Sequence, residues 1–445
     1  MKTKLRAGRY LERIALMIAL SFQTMAYANE PLAGILDALD EAIDSGKALS
    51  VQGGLIRGEE KVEFGFGRLE PDGDAAPDID SAYQIGSITK VFTNLLLAEM
   101  VERGKLRYDT TVAEILGDEI EFANPDVGRI TLMQLATHTS GLPRIPLNFS
   151  AVDLNDPYAD YDEPQLLAAL SLTRADQPLG NHQAYSNYGA GLLGYLLGRV
   201  DGSDYRHALS THVLDPLGLD STGMEPTGRP ASPWAGGTVV PAWSFDALAG
   251  AGALWSTTSD LARLARVMIG TRAHDLKQDL YAGLEPVSDI APGLSVSPVW
   301  HIAKTAEGPV YWHNGGTHGN ASFVGTRPTT EEALIVLVAG EFDPTNLALE
   351  WFGFRSSEPT ALSVDGEVTG DYRLAPGLSI RVFLDEEGLK AQVTGQAPAS
   401  LTAIEDDWYA FDDADASLHF LRDDGEVAAL ELVQNGQTTR APKGH

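Results

Sequence analysis

Ser87 and Lys90, in Ser87-Ile88-Thr89-Lys90, have the residue types and spacing from which acyl transfer could be built. A free serine hydroxyl is a poor nucleophile near neutral pH and needs a neighbouring base or charge to move its proton. Residues i and i+3 share a helix face, so a helix starting at Ser87 sets the Lys90 amine beside that hydroxyl. The helix N-terminus would also offer unpaired backbone N–H groups to developing negative charge. A second set is Tyr185-Ser186-Asn187. Residues two apart in an extended segment point the same way, so Tyr185 and Asn187 could face one cleft. The competing expectation is local, with Asn187 capping the next helix and Tyr185 packing. A third set, Val310-Tyr311-Trp312-His313-Asn314-Gly315-Gly316, alternates and then breaks on paired glycines, beside which a substrate backbone could approach and pair. His313 and His318 could ligate a metal, but no carboxylate or third histidine stands at ligand spacing, so none is expected.

These sets need elements to hold them. Ile88, Val91, Phe92, Leu95, Leu96 and Met100 recur at three- and four-residue spacing up to Gly104, which predicts a buried helix. Pro31–Gly46 reads as an amphipathic helix, and Leu49–Ile56 with Lys61–Leu69 as a hairpin about Arg57-Gly58-Glu59-Glu60. Leu132–Leu135 leads into a helix stop at His138-Thr139-Ser140-Gly141-Leu142-Pro143. Leu192, Leu193, Leu196, Leu197 and Val200 mark a helix after Asn187, and Thr257-Thr258-Ser259-Asp260 reads as a capping box before Leu261. Strands are expected at Ala321–Gly325 and Ala333–Val338. Arg355–Asp365, rich in Ser, Glu, Pro and Thr, reads as a linker. Alternation at Leu378, Ile380, Val382, Leu384 and again at Leu389, Ala391, Val393, with turns at Asp423-Asp424-Gly425 and Asn435-Gly436, predicts an antiparallel all-β module over 366–445.

The 445 residues suffice for one large domain and a smaller one. A net charge of -30 repels nucleic acid and anionic lipid, so neither is an expected partner. The expected partner is a small-molecule or peptide substrate. With no cysteine, disulfides, thiolate metal sites and a thiol nucleophile are excluded. Residues 1–28 read as a signal peptide: Lys2, Lys4, Arg6, Arg9 and Arg13, an apolar run from Ile14 to Phe22 too short to span a bilayer, then Ala26-Tyr27-Ala28. A periplasmic or secreted mature chain is expected. No His-Glu-x-x-His, Walker loop, dinucleotide fingerprint or Gly-x-Ser-x-Gly elbow is present, and no cofactor is expected.

Ser-x-x-Lys, Tyr-x-Asn and a His-x-Gly strand in this order resemble the serine β-lactamase and penicillin-binding superfamily, in its class C β-lactamase-like branch, together with the flanking His138–Leu142 and Pro216-Leu217-Gly218. The resemblance covers most of residues 30–350. It implies an α+β fold, an antiparallel sheet flanked by helices plus a helical subdomain, over residues 29–355, with the C-terminal module similar to accessory domains of such hydrolases. It implies that Ser87 is the nucleophile, Lys90 its activating neighbour and Tyr185 the proton carrier. Asn187 would bind substrate and Lys90, His313, Asn314, Gly315, Gly316 and Thr317 would line the substrate site, and the Ser87 and Gly316 N–H groups would form the oxyanion hole. Class C enzymes carry Lys-Thr-Gly where this chain has His313-Asn314-Gly315. Histidine is mostly neutral near pH 7, and the threonine hydroxyl is absent unless Thr317 substitutes for it. The implied activity is hydrolysis of a β-lactam or D-amino-acid-containing peptide through an acyl-enzyme. The alternatives are a carboxylesterase of the same type and a non-catalytic penicillin-binding sensor.

Overall fold

The computed structural model describes residues 29–444 apart from 154, 174–182, 275–284, 355–367 and the turn residues 376–377, 386–387, 395–398, 406, 412–415, 424–425 and 435–436. The expected signal peptide and linker lie outside the described residues. No helix among the described residues is long and apolar enough to cross a membrane.

In chain order come α1 (Asn29–Asp44), β1 (Ala48–Arg57), β2 (Glu60–Gly67), β3 (Ser81–Gln84), α2 (Thr89–Glu102), α3 (Asn187–Asp201), β4 (Trp255–Thr257) and α4 (Thr258–Met268). They are followed by β5 (Ser288–Ala291), β6 (Leu294–Val296), β7 (His301–Thr305), β8 (Gly308–Thr317), β9 (Asn320–Arg327), β10 (Glu332–Gly340) and α5 (Thr345–Trp351). Short helices fill the region between α2 and α3. The main sheet has eight strands in the order β2-β1-β10-β9-β8-β7-β6-β5, every neighbouring pair antiparallel.

Strand β10 explains the layering. Successive side chains leave a strand on opposite faces, and here both faces are apolar. Leu334, Val336 and Val338 join the core under α1 and α5 with Leu39, Phe64 and Phe352. Ala333, Ile335, Leu337 and Ala339 join the core shared with α2, α3 and α4. The sheet is therefore covered on both sides. Helix α2 lies inside the second core, with Thr89 through Met100 all buried, and is held both by apolar packing and by hydrogen bonds from Lys90, Thr93 and Asn94 to neighbouring carbonyls.

Beyond residue 369, eight strands β11–β18 (Gly370–Ala375, Leu378–Asp385, Gly388–Val393, Ala399–Glu405, Trp408–Phe411, Ala416–Asp423, Glu426–Gln434, Gln437–Pro442) pair in sequence order. A bridge between Tyr372 and Lys443 joins the first strand to the chain leaving the last. Its interior is filled by Tyr372, Tyr409, Phe420 and aliphatic side chains. This is the all-β module expected from the alternation.

Two local expectations are revised. The helix does not open at Ser87: Gly86–Ile88 form a 3-10 turn and the α-helix starts at Thr89. The capping box at α4 is half formed. Thr257 accepts from the Asp260 N–H, but the Asp260 carboxylate accepts instead from Ser221 N at 2.8 Å and Thr222 Oγ1 at 2.9 Å, tying α4 to the preceding loop.

Candidate active site

Ser87 lies in the turn between β3 and α2, and two glycines let the end of β8 press against it. At Gly86, whose φ is +49°, a Cβ would fall 2.7 Å from Gly316 N. At Gly315 it would fall 2.0 Å from Ile85 O and 2.8 Å from Ser87 N. Such distances exclude any side chain at either position. The glycine pair was expected to admit a substrate backbone, and Gly315 also admits the Ser87 turn. Strand β7 pairs with β8 only as far as Trp312, so His313–Thr317 continue paired to β9.

Lys90, 2% exposed, is the hub. Its Nζ lies 3.0 Å from Ser87 Oγ, 2.9 Å from Asn187 Oδ1 and 2.7 Å from the Ala251 carbonyl. Protonated, the amine donates to all three. Neutral, it donates to the two carbonyl oxygens and turns its lone pair to the Ser87 hydroxyl. Burial, and then the Arg144 charge, hold its pKa well below the ordinary lysine value, which favours the neutral form and hence a base.

Tyr185 joins from the other side. Its ring centroid is 4.7 Å from Lys90 Nζ, and its phenol shares a hydrogen bond with Ser87. Burial pushes that phenol up to about 12, so it stays protonated near neutral pH. The local alternative for Asn187 fails on geometry. Ser186 caps α3, its Oγ accepting from Gly189 N at 2.8 Å, and Asn187 in the first helical turn is left to meet Lys90.

His138, seen in the sequence only as part of a loop, clasps the Tyr185 segment. It adopts a left-handed φ of 58°, rare outside glycine. Its carbonyl accepts from Ala184 N at 2.8 Å and its Nδ1 from Ser186 N at 3.2 Å. Its ring lies 4.4 Å from that of Tyr185. An imidazole accepting at Nδ1 is neutral with its proton on Nε2. This agrees with a pKa held well below the usual histidine value by burial first, then by Lys90, His301 and Arg144. Arg144 is anchored by its carbonyl to Tyr188 N at 3.1 Å and sets its guanidinium 5.4 Å from the Tyr185 ring centroid.

On β8, His313 is 3% exposed, and Asn314, Gly315 and Gly316 follow it alongside the Ser87 turn. Thr317 does not offer a free hydroxyl to replace the missing threonine. It donates to Gln84 Oε1 at 3.2 Å, and Gln84 also holds the Trp243 backbone, accepting from its N–H and donating to its carbonyl. Neither the Ala251 carbonyl nor Gln84 was legible as a partner. His301, on β7, also went unremarked, and its ring stacks on His313 with centroids 4.7 Å apart.

Comparison with known proteins agrees with this architecture. A family model described as Beta-lactamase matches residues 35–352. The D-alanyl-D-alanine-carboxypeptidase/endopeptidase AmpH of Escherichia coli (strain K12) is 27% identical over 173 residues, covering 39% of this chain and 44% of that one. The chain thus matches less than half of that relative's length. Penicillin-binding protein 4 of Amycolatopsis lactamdurans is 27% identical over 303 residues, 62% of this chain and 77% of that one. The octameric penicillin-binding protein homologue from Pyrococcus abyssi shares the fold, with a TM-score of 0.65 at 19% identity over 93% of this chain and 100% of that one. Since the family model spans well over half of its length, the chain belongs to the Beta-lactamase family.

Proposed function

We propose that this protein is an exported serine hydrolase that forms an acyl-enzyme on Ser87 and cleaves an amide in a D-amino-acid-containing peptide or a β-lactam. The observation that carries the proposal is the buried Lys90 amine held between Ser87 Oγ, Asn187 Oδ1 and the Ala251 carbonyl. A neutral amine takes the Ser87 proton as Oγ attacks the substrate carbonyl carbon. The negative oxygen of the tetrahedral intermediate would accept from the Ser87 and Gly316 N–H groups, donors fixed in advance by the close seam of the two glycines. Tyr185, still a phenol near neutral pH, donates its proton to the leaving nitrogen as the carbon–nitrogen bond breaks, and is reprotonated from Lys90. Water then attacks the ester with the same groups acting in reverse.

The test is a panel of a chromogenic cephalosporin, a D-Ala-D-Ala peptide and a p-nitrophenyl ester, read by rate and by intact mass on wild type and Ser87→Ala. Turnover and a Ser87 adduct lost in the variant are expected. Equal rates for the two proteins would end the proposal, and esters cleaved far faster than any amide would move it to a carboxylesterase.

A further inference from the structure

The carbonyl that completes the Lys90 site belongs to a buried 3-10 turn, Ala249–Ala251. Just past that turn, Gly252 N and Ala253 N both donate to the Ala249 carbonyl, at 3.2 and 3.1 Å. The next two carbonyls meet α2 instead. Thr93 Oγ1 donates to Gly250 O at 2.8 Å, and Lys90 Nζ donates to Ala251 O at 2.7 Å. Leu254 N donates to Thr89 Oγ1 at 3.1 Å, and Leu254 O accepts from Ile85 N at 2.9 Å, beside the Ser87 turn. Thr93 stands four residues after Thr89 and three after Lys90, so all three share one face of α2. Together they fasten residues 250–254. Helix α3 presses on the same turn from its other side: a Cβ on Gly194 would lie 2.9 Å from Gly250 Cα, and one on Gly250 would lie 2.8 Å from Ala190 O.

Thr93 is itself held. It is fully buried, and its Oγ1 lies 2.7 Å from the phenol oxygen of Tyr205, on the short helix Tyr205–Leu209. Burial pushes that phenol above the ordinary tyrosine value, so it keeps its proton and donates it to Thr93. The single proton of the Thr93 hydroxyl is then left for a carbonyl. Gly250 O is nearer than the Thr89 carbonyl one helical turn back, at 3.1 Å. A hydroxyl that accepts while it donates is polarised and donates more strongly.

We propose that Thr93, oriented by Tyr205, is a positioning residue of the active site, fixing through the Gly250 carbonyl the turn that presents the Ala251 carbonyl to Lys90. The proposal rests on the acyl-enzyme reading above and extends it to groups that touch no reacting atom. A neutral amine has two N–H groups and one lone pair. With Asn187 Oδ1 and Ala251 O both accepting, the lone pair is left facing Ser87 Oγ. A displaced Ala251 carbonyl lets the amine turn, and the serine proton loses its acceptor while the substrate contacts stay as they were. The consequence falls on the rate of acylation and not on substrate binding.

The experiment measures single-turnover acylation of Ser87 in the full chain with a chromogenic cephalosporin and with p-nitrophenyl acetate, each adduct confirmed by intact mass. Thr93→Val keeps the shape and removes the hydroxyl. It is expected to lower the limiting acylation rate by about ten-fold or more, leaving the half-saturating cephalosporin concentration unchanged. Thr93→Ser restores the donor and should recover most of the loss. Tyr205→Phe should lower the rate by about three-fold in the wild-type background and cost nothing further beside Thr93→Val, because both act through one hydroxyl. Equal deficits in Thr93→Val and Thr93→Ser overturn the positioning role, as does a loss confined to the half-saturating concentration. If Thr93→Val does not fold, Tyr205→Phe decides, and an unchanged acylation rate there overturns the proposal. Wild-type protein acylated at Ser87 with all three variants indistinguishable from it overturns the positioning role and leaves the acyl-enzyme standing. Absence of a Ser87 adduct in wild type with both probes overturns both.

Discussion

The two eight-stranded antiparallel sheets differ in a single pairing. In the C-terminal module each strand pairs with its neighbour in sequence, so almost every contact is a hairpin. In the main sheet every other pairing is likewise between sequence neighbours, but β1 pairs with β10, joining Val51 to Val338 across nearly the whole domain. Hairpins close with little loop entropy and build a filled core from local pattern alone. Distant pairing costs more, but it places segments from separate parts of the chain side by side. Ser87, Asn187, Ala251 and Gly315 meet in the domain with non-local order, whereas the interior of the module is apolar and aromatic. The candidate catalytic groups lie where remote segments converge.

This contrast can be tested by substitutions that affect one region and spare the other. Lys90→Met should have the largest effect, lowering kcat/KM by about 10⁴-fold while circular dichroism shows the fold retained. In wild type, activity should fall as pH drops through the depressed Lys90 pKa, since protonation removes the lone pair. The same depression means that the folded protein binds fewer protons than the unfolded one between the folded-state and ordinary lysine values. Stability from this group therefore rises with pH across that window, and denaturation of wild type against Lys90→Met should show the wild type gaining ground as pH increases.

Next comes Gly315→Ala. The added methyl forces the β8 end away from Ile85 O and Ser87 N, and a shift of about 1 Å at reacting groups costs about a hundred-fold in rate. A near-normal kcat would mean that the seam does not position the nucleophile. His138→Ala removes one hydrogen bond to the Tyr185 segment and should lower kcat by about ten-fold with KM little changed. His138→Asn, which tolerates the left-handed backbone and retains an acceptor, should recover most of that loss. Equal deficits in the two variants would make His138 merely a folding residue. The smallest catalytic effect is expected in the module. Phe420, 1% exposed and packed edge-on to Tyr372 and Tyr409, should cost about 3–5 kcal/mol of stability on change to alanine. The kcat/KM of protein still folded should be unaltered.

Much of the chain was legible because its signals are local. The buried helix after Ser87, the β1–β2 hairpin and the alternating strands beyond residue 369 follow from apolar period and turn residues, which act over a few positions. Where local reading fell short, a remote partner was the cause. Thr257–Asp260 looked like a complete capping box, but the Asp260 carboxylate found Ser221 and Thr222 nearer. For Asn187 a cap and a place in the cleft were both open, and packing decided for the cleft, with Ser186 as the cap and Asn187 on Lys90. At Gly315 the local pattern did not show that the turn at Ile85–Ser87 presses against it.

From sequence alone came the elements and the candidate residues: a serine and a lysine three positions apart, a tyrosine and an asparagine two apart, and a histidine ahead of paired glycines. Those spacings are set by backbone geometry within one element. Tertiary structure alone decided that the Ala251 carbonyl completes the Lys90 site, that His138 holds Tyr185 and that His301 lies on His313. These contacts join residues far apart in sequence, and their distances are set by how the sheet and helices pack, which the local alternation of side chains does not encode.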